Sequence, residues 1–129
     1  MKVGLVDSLL IFIGAGFGGV FRYLVSNGIY SLFGREFPYG TLVVNVSGSF
    51  LMGVLFVLFL DRFASFGSLL RSFFLIGLLG GYTTFSSFSI ETLNLFENGA
   101  WWSALFNIVV SMLLCMFAVW LGVLGGRQL

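Results

Sequence analysis

The sequence GLLGGYTTFSSFSIE, residues 77–91, decides how this chain folds. An apolar run, 69–79, leads into it and can form the first half of a membrane-crossing helix. Gly80 and Gly81 weaken helical continuity where this run stops. The hydroxyl side chains that follow can cap a new helix and satisfy backbone groups released by the interruption; they are Thr83, Thr84, Ser86, Ser87 and Ser89. The pattern predicts a membrane span, 69–96, that is broken near its middle.

A broken helix places backbone dipoles inside the membrane. A half-helix starting near Thr84 would direct its N–H groups and positive dipole end at the break, and the carbonyls of the preceding turn would face a cation. Phe85 and Phe88 lie three residues apart on one face of that half-helix, where their positive ring edges can face an anion. The break therefore predicts an ion site for either sign of charge. Close helix packing by glycine and serine is the alternative, and it stays open at this point.

The composition restricts the class of protein. The 129 residues are 59% hydrophobic and 9% charged, and the mean hydropathy is +1.09, which indicates a single integral membrane domain over 1–129. Histidine is absent and Cys115 is the only cysteine, which excludes internal disulfides and argues against zinc sites and thiolate–imidazole catalysis. A net charge of +1 without a basic tract argues against a nucleic-acid partner. We therefore expect no enzyme.

Four apolar segments predict an all-α membrane protein with four transmembrane helices. Their approximate bounds are 8–32, 40–60, 69–96 and 101–124. Trp101 and Trp120 lie nearly a membrane thickness apart at about 1.5 Å per residue, as interfacial anchors do. Four spans put both termini on one side of the membrane, and the positive-inside rule favours the cytoplasm for that side. The basic residues on it are Lys2, Arg62, Arg71 and Arg127.

The first predicted span combines glycines with a charge. Its sequence GAGFGG, residues 14–19, matches a dinucleotide-binding fingerprint, but the amphipathic helices of such a fold do not follow it. We interpret Gly14 and Gly18 instead as a small-xxx-small face for close helix packing. Arg22 is costly inside a membrane unless it meets water or a partner, so it suggests a wet vestibule. An arginine that reaches the nearby interface is the alternative.

Polar residues recur every four positions in the second and fourth spans. Thr41, Asn45 and Ser49 share one helix face, and the Asn45 amide can either bond a neighbouring helix or donate to an anion. The corresponding line in the fourth span can be a hydrogen-bonding seam or an ion track; it consists of Ser103, Asn107, Ser111 and Cys115. Whether Asn107 and Cys115 line a pore stays open, as does the role of Glu91.

Three segments together resemble the small fluoride ion channels, the Fluc or CrcB family. They are GAGFGGVFRY in the first span, GTLVVNVSGSFLMG in the second and GLLGGYTTFSSFSIE in the third. The similarity covers nearly the whole chain in the right order. The resemblance implies a four-helix subunit that forms an antiparallel dual-topology homodimer, with two fluoride pores and one structural sodium ion at the interface.

The resemblance also implies roles for individual residues. The backbone carbonyls of Gly80 and Thr83 from both subunits would hold the sodium ion. Phe85 and Phe88 would form an aromatic box whose ring edges face fluoride, and Asn45 would approach the pore from the second helix. The remaining assignments are pore hydroxyls at Thr84, Ser87 and Ser111, and a vestibule arginine at Arg22.

We therefore expect a passive fluoride-selective channel in a bacterial inner membrane, with fluoride, lipid and a second copy of the chain as partners. It would export fluoride that enters as hydrogen fluoride and dissociates in the cytoplasm. One alternative is a four-span proton-coupled multidrug exporter, which needs an acid at the midplane of its first span; residues 8–32 contain none. The other is a non-transporting assembly subunit, which leaves the cluster of hydroxyls and phenylalanines unexplained.

Overall fold

The computed structural model describes residues 4–129, so Lys2, used above to orient the chain, lies outside the described residues. Four helical segments of this part are long and apolar enough to cross a membrane, which confirms the all-helical, four-span prediction. They are Leu5–Phe33, Tyr39–Asp61, Ala64–Glu97 and Trp101–Gln128. The first helix has 29 residues, which at about 1.5 Å per residue exceeds a hydrocarbon core of about 30 Å.

The third span changes its helix type several times. Its elements are a 3₁₀ turn at Ala64–Phe66, an α-helical turn at Gly67–Leu70, a π-helix at Arg71–Leu79, a short α-helical turn at Gly80–Tyr82 and a second half at Phe85–Glu97. The Gly80 N–H donates to the carbonyls of both Gly77 and Leu75, so the turn widens to an i→i+5 bond there. Such π-helical segments are rare in proteins, and those that do occur lie frequently at functional sites.

The break lies at Thr83 and Thr84, and not at the glycine pair that the sequence suggested. Gly80 is helical, with φ −62° and ψ −37°, and Gly81 continues the helix. Thr83 then becomes extended, with φ −80° and ψ 156°. Gly81 serves packing instead, because a Cβ atom there would lie 2.6 Å from the Ala15 carbonyl oxygen. Gly81 therefore allows the approach of the first helix, and the bend occurs where the hydroxyl residues begin.

Glycines bring the first helix against the third span. A Cβ atom on Gly14 would lie 2.9 Å from the Leu78 nitrogen, and one on Gly18 would lie 2.8 Å from the Tyr82 nitrogen. Real Cβ atoms do not come this close to backbone atoms, so the contact requires glycine. The expected small-xxx-small packing face is thereby confirmed.

The second and last helices pack in the same way. A Cβ atom on Gly53 would lie 2.9 Å from the Val123 nitrogen, and one on Gly122 would lie 3.1 Å from the Val54 nitrogen. The buried apolar core lies between the second helix and the third span, around Phe59, Leu75 and Leu79. Many other large apolar side chains face outward, as expected for surfaces that contact lipid or another membrane subunit.

Candidate ion pathway

Asn45 of the second helix holds the break in the third span. Its Oδ1 atom accepts a hydrogen bond from the Thr84 N–H at 2.8 Å, and its Nδ2 atom donates to the Thr84 carbonyl at 3.0 Å. One side chain thus pairs both backbone groups of a residue that has left the helix. Because an amide nitrogen carries two hydrogens, a second N–H remains for a ligand.

Thr84 also caps the second half of the broken span. Its Oγ1 atom accepts from the Ser87 N–H at 3.1 Å and donates to the Ser87 Oγ at 3.1 Å. This is the arrangement expected of an N-cap threonine. The helix Phe85–Glu97 therefore begins at the break and directs its positive dipole end there.

The two carbonyls suggested as sodium ligands are deprived of their usual helical donors. In a continuous helix the Gly80 carbonyl would accept from Thr84 N–H and the Thr83 carbonyl from Ser87 N–H. Here the Thr84 N–H goes to Asn45, and the Ser87 N–H goes to the Thr84 side chain. Hard cations bind carbonyl oxygens. The backbone at Gly80 and Thr83 therefore fits a sodium ion in donor type, with the remaining ligands to come from elsewhere.

A cavity of about 350 Å³ opens beside the break. The second helix, the break, the start of the second half-helix and the last helix all contribute to its wall. Five of the residues predicted for a fluoride pore line it together: Asn45, Thr84, Phe85, Phe88 and Ser111. The structure thus brings these residues to one place, although they lie up to 66 positions apart in the sequence.

The two phenylalanines of the suggested aromatic box face different surroundings. Their ring centroids are 5.4 Å apart and the rings are tilted by 42°. Phe88 is 8% exposed, whereas Phe85 is 70% exposed and projects from the protomer. The pair is adjacent, as the spacing predicted, but the described residues leave most of the Phe85 ring uncovered.

A second cavity, of about 220 Å³, lies next to Thr84, and most of the residues that line it have a polar side chain. Arg22, Ser87 and Glu91 line it together with Tyr30 and Thr41 of neighbouring helices. Thr84 lines both cavities, so the break separates two spaces that share one residue. The structure therefore places Ser87 with Arg22, in a different cavity from Phe88 and Ser111.

Glu91, whose role the sequence left open, lines this second cavity. Thr41 Oγ1 donates to Glu91 Oε1 at 2.9 Å, and the Tyr30 hydroxyl lies 3.4 Å from Thr41 Oγ1. The Glu91 Oε2 atom is buried, and no group of residues 4–129 bonds it. An acid within an apolar span is itself a signal of function.

The polar line of the last helix divides into three parts. Asn107, 2% exposed, donates through Nδ2 to Thr92 Oγ1 at 2.9 Å and accepts from Ser111 Oγ at 3.2 Å. It therefore forms a seam between the last helix and the second half of the third span. Ser111 and Cys115 line the cavity beside the break, whereas Ser103 lines a separate apolar cavity.

Comparison with known proteins identifies the family. Residues 9–123 match the family described as CrcB-like protein, Camphor Resistance (CrcB). The chain is 59% identical over 124 residues to the fluoride-specific ion channel FluC of Coxiella burnetii (strain Dugway 5J108-111), covering 96% of this chain and 100% of that protein. It is 50% identical over 115 residues to FluC of Magnetococcus marinus (strain ATCC BAA-1437 / JCM 17883 / MC-1), covering 89% of this chain and 93% of the relative.

A further relative is FluC of Methylococcus capsulatus (strain ATCC 33009 / NCIMB 11132 / Bath), which is 50% identical over 119 residues. That match covers 92% of this chain and 52% of the relative. The resemblance carried by the three sequence segments is thereby confirmed. Since the family match extends over most of a chain with four membrane-crossing helices, this multi-pass membrane protein belongs to the CrcB family.

Proposed function

We propose that this chain is a fluoride-selective ion channel that conducts fluoride passively. The observation that carries this proposal is the break at Thr84, where Asn45, Phe88 and Ser111 meet in one cavity. The relatives described above are named as fluoride-specific ion channels, and we assign no enzymatic reaction to the chain.

The chemistry of the cavity suits a small anion. Fluoride is strongly hydrated, so a pore must replace its water with donors. Asn45 offers the second N–H of its amide, and the positive edge of the Phe88 ring adds a weaker donor. The hydrogen of the Ser111 hydroxyl bonds Asn107 Oδ1, so this group would donate to the ion after rotating toward it. The cavity beside the break is not lined by any charged side chain of the described residues, so the anion meets donors without a cation that would trap it.

The polar cavity supplies the approach to that pathway. Arg22 lines it together with Ser87 and the carboxyl of Glu91. An arginine in a wet vestibule attracts anions, and it lies in the cavity on the other side of Thr84 from Phe88. We therefore place the vestibule at Arg22 and the constriction at the aromatic pair, with Thr84 between them.

We further propose that two copies assemble as an antiparallel dual-topology homodimer with two pores. Phe85 supports this arrangement, because its exposed ring needs another wall to enclose an ion. The carbonyls of Gly80 and Thr83 would meet their counterparts at the twofold axis and hold one structural sodium ion. When bound, the ion supplies positive charge that neutralises the facing carbonyl dipoles.

A bacterial inner membrane is the proposed location, with export of fluoride released from hydrogen fluoride in the cytoplasm. The alternative of a proton-coupled drug exporter finds no support in the first helix. Its acidic residue, Asp7, lies in the first turn and not at the midplane, and accepts a hydrogen bond from Ser72 at 2.8 Å.

Growth of a bacterium that lacks its own fluoride exporter tests the proposed function. The wild-type gene should restore growth in fluoride, and Phe85→Ile should not. Phe12→Ile is the matched control, because Phe12 is an exposed ring on the first helix, away from the break. Equal rescue by Phe85→Ile and wild type would reject the pore assignment, and failure of the wild type to rescue would reject the function.

Labelling from the two sides of the membrane tests the antiparallel arrangement. In a Cys115→Ser background, Glu36→Cys puts one thiol in the exposed loop between the first two helices. A membrane-impermeant maleimide should label about half of the chains in intact cells and the other half after lysis, since the two copies insert in opposite directions. Labelling confined to one side would contradict dual topology.

A further inference from the structure

The sulfur-bearing side chains of the described residues all line a single cavity. The chain has four methionines and one cysteine, and Met1 lies outside the described residues. The remaining four, Met52, Met112, Cys115 and Met116, line the cavity beside the break. No step of the proposed fluoride pathway uses a thiol or a thioether, so this cluster has no role in the function assigned above.

Helix geometry brings these side chains toward one another. Met112, Cys115 and Met116 are spaced i, i+3 and i+4 on the last helix, so they are neighbours on one face. Met52 comes from the second helix, at the point where the two backbones touch. A Cβ atom on Gly53, the next residue, would collide with the Val119 carbonyl, one turn beyond Met116.

The side chains of the cluster favour soft metal ions over hard ones. The lining residues include no carboxylate and no imidazole in the described part of the chain. Met112 and Met116 are 50% and 69% exposed, whereas Met52 and Cys115 are half-buried. The Met112 and Met116 thioethers therefore lie toward the mouth of the cavity, and the Cys115 thiol lies deeper.

We propose that Met112, Cys115 and Met116 bind a soft monovalent metal cation, Cu⁺ or Ag⁺. Met52 is not counted as a ligand, because its neighbour Gly53 meets the last helix at Val119, about two turns beyond Met112. Thiolate and thioether ligands select such ions. On binding, the Cys115 S–H bond breaks, a sulfur–metal bond forms and the proton passes to water. The thioethers donate lone pairs without bond cleavage, and the oxidation state of the metal does not change.

The position of the site gives metal binding a consequence for transport. The cation would occupy the cavity that Asn45, Phe88 and Ser111 also line. The thiolate neutralises the charge of the metal, and the bound metal with its ligands would narrow the space that is open to fluoride. Bound metal should therefore obstruct fluoride flux. This consequence rests on the proposed function, whereas metal binding itself does not.

Silver binding to the purified full-length protein tests the site. Silver nitrate is titrated in buffer free of chloride and thiols, and the metal retained after desalting is measured by mass spectrometry. The wild type should retain one silver ion per chain. Met112→Leu/Met116→Leu, a change that nearly conserves volume, should lower silver affinity at least about tenfold, the loss that removal of even a supporting partner commonly produces.

A second variant distinguishes a cluster from an isolated thiol. Cys115→Ser/Ser103→Cys keeps the number of sulfur atoms but moves the thiol to the apolar cavity lined by Ser103. Its silver affinity should also fall at least about tenfold, because the thiolate then lacks thioether neighbours. Wild-type affinity in either variant, or no retained silver in the wild type, would overturn the proposal.

Fluoride efflux from vesicles that contain the same protein tests the effect of silver on transport separately from silver binding. Silver should lower the wild-type flux, and a thiol chelator should restore it. Absence of fluoride flux before silver is added would count against the proposed function and leave the binding result standing. Unchanged fluoride flux through protein that has bound silver would refute the claim that the bound metal obstructs the pathway.

Discussion

Asn45→Ala tests whether the clamp on the break controls conduction. The substitution removes two hydrogen bonds, from Thr84 N–H at 2.8 Å and to the Thr84 carbonyl at 3.0 Å. Hydrogen bonds between membrane helices contribute about 0.6 kcal/mol on average and about 1.7 kcal/mol at most. Two of them therefore stabilise the bent geometry by roughly 1 to 3 kcal/mol.

This free energy converts directly into an expected loss of flux. Each 1.4 kcal/mol corresponds to about tenfold in an equilibrium constant. If only the clamped break conducts, Asn45→Ala should lower fluoride flux by roughly tenfold to a hundredfold. Asn45→Asp should also lower flux, because its second oxygen would face the Thr84 carbonyl and place negative charge beside an anion pathway.

The assay is fluoride efflux from proteoliposomes, followed with a fluoride electrode, together with size-exclusion chromatography of each variant. Asn27→Ala is the matched control, since the Asn27 amide also donates to a backbone carbonyl, that of Tyr23 at 2.8 Å, but lies far along the first helix. The control should conduct like the wild type. Wild-type flux in Asn45→Ala, with an unchanged unfolding midpoint, would refute the clamp.

Three further changes follow from the same contacts. Thr84→Ala should destabilise the second half-helix by about 1 kcal/mol, whereas Thr84→Ser should keep the wild-type stability because serine also caps a helix. Thermal unfolding measures the stability of both variants, and an equal loss of stability in the two would contradict the cap. Gly18→Ala should destabilise the protein by about 1 to 3 kcal/mol, because its methyl group overlaps the Leu78 carbonyl. Gly16→Ala, which has open space around it, is the control and should unfold like the wild type. Similar unfolding midpoints for the two variants would refute the packing of the first helix on the third span. Replacing sodium with a large organic cation throughout purification and efflux should lower flux, and undiminished flux would argue against the structural ion.

The existence of the break could be predicted from residues 77–91, because an apolar run that ends in glycines and hydroxyls has few other stable forms in a membrane. Its position could not be predicted in the same way. Gly81 weakens a helix on its own, but contact with Ala15 keeps it helical. The position of the bend is thus a tertiary effect, set by the approach of the first helix.

Some of the residues that line the cavity beside the break could be predicted from the sequence. The period of four grouped Asn45 with Ser49 and Ser111 with Cys115, and each pair does line the cavity beside the break. It could not separate Asn107 from Ser111, because that depends on the rotation of the last helix against Thr92. Nor could it bring Glu91 to Thr41, a contact between residues 50 positions apart.

The most direct measurement for the account as a whole is the efflux of fluoride and chloride from the same proteoliposomes, recorded with two ion-selective electrodes. The account predicts fast fluoride loss with chloride retained, because the Asn45 amide, the Phe88 ring edge and a rotated Ser111 hydroxyl would replace the water of the smaller ion. Chloride efflux equal to that of fluoride, or no efflux of either ion, would contradict it.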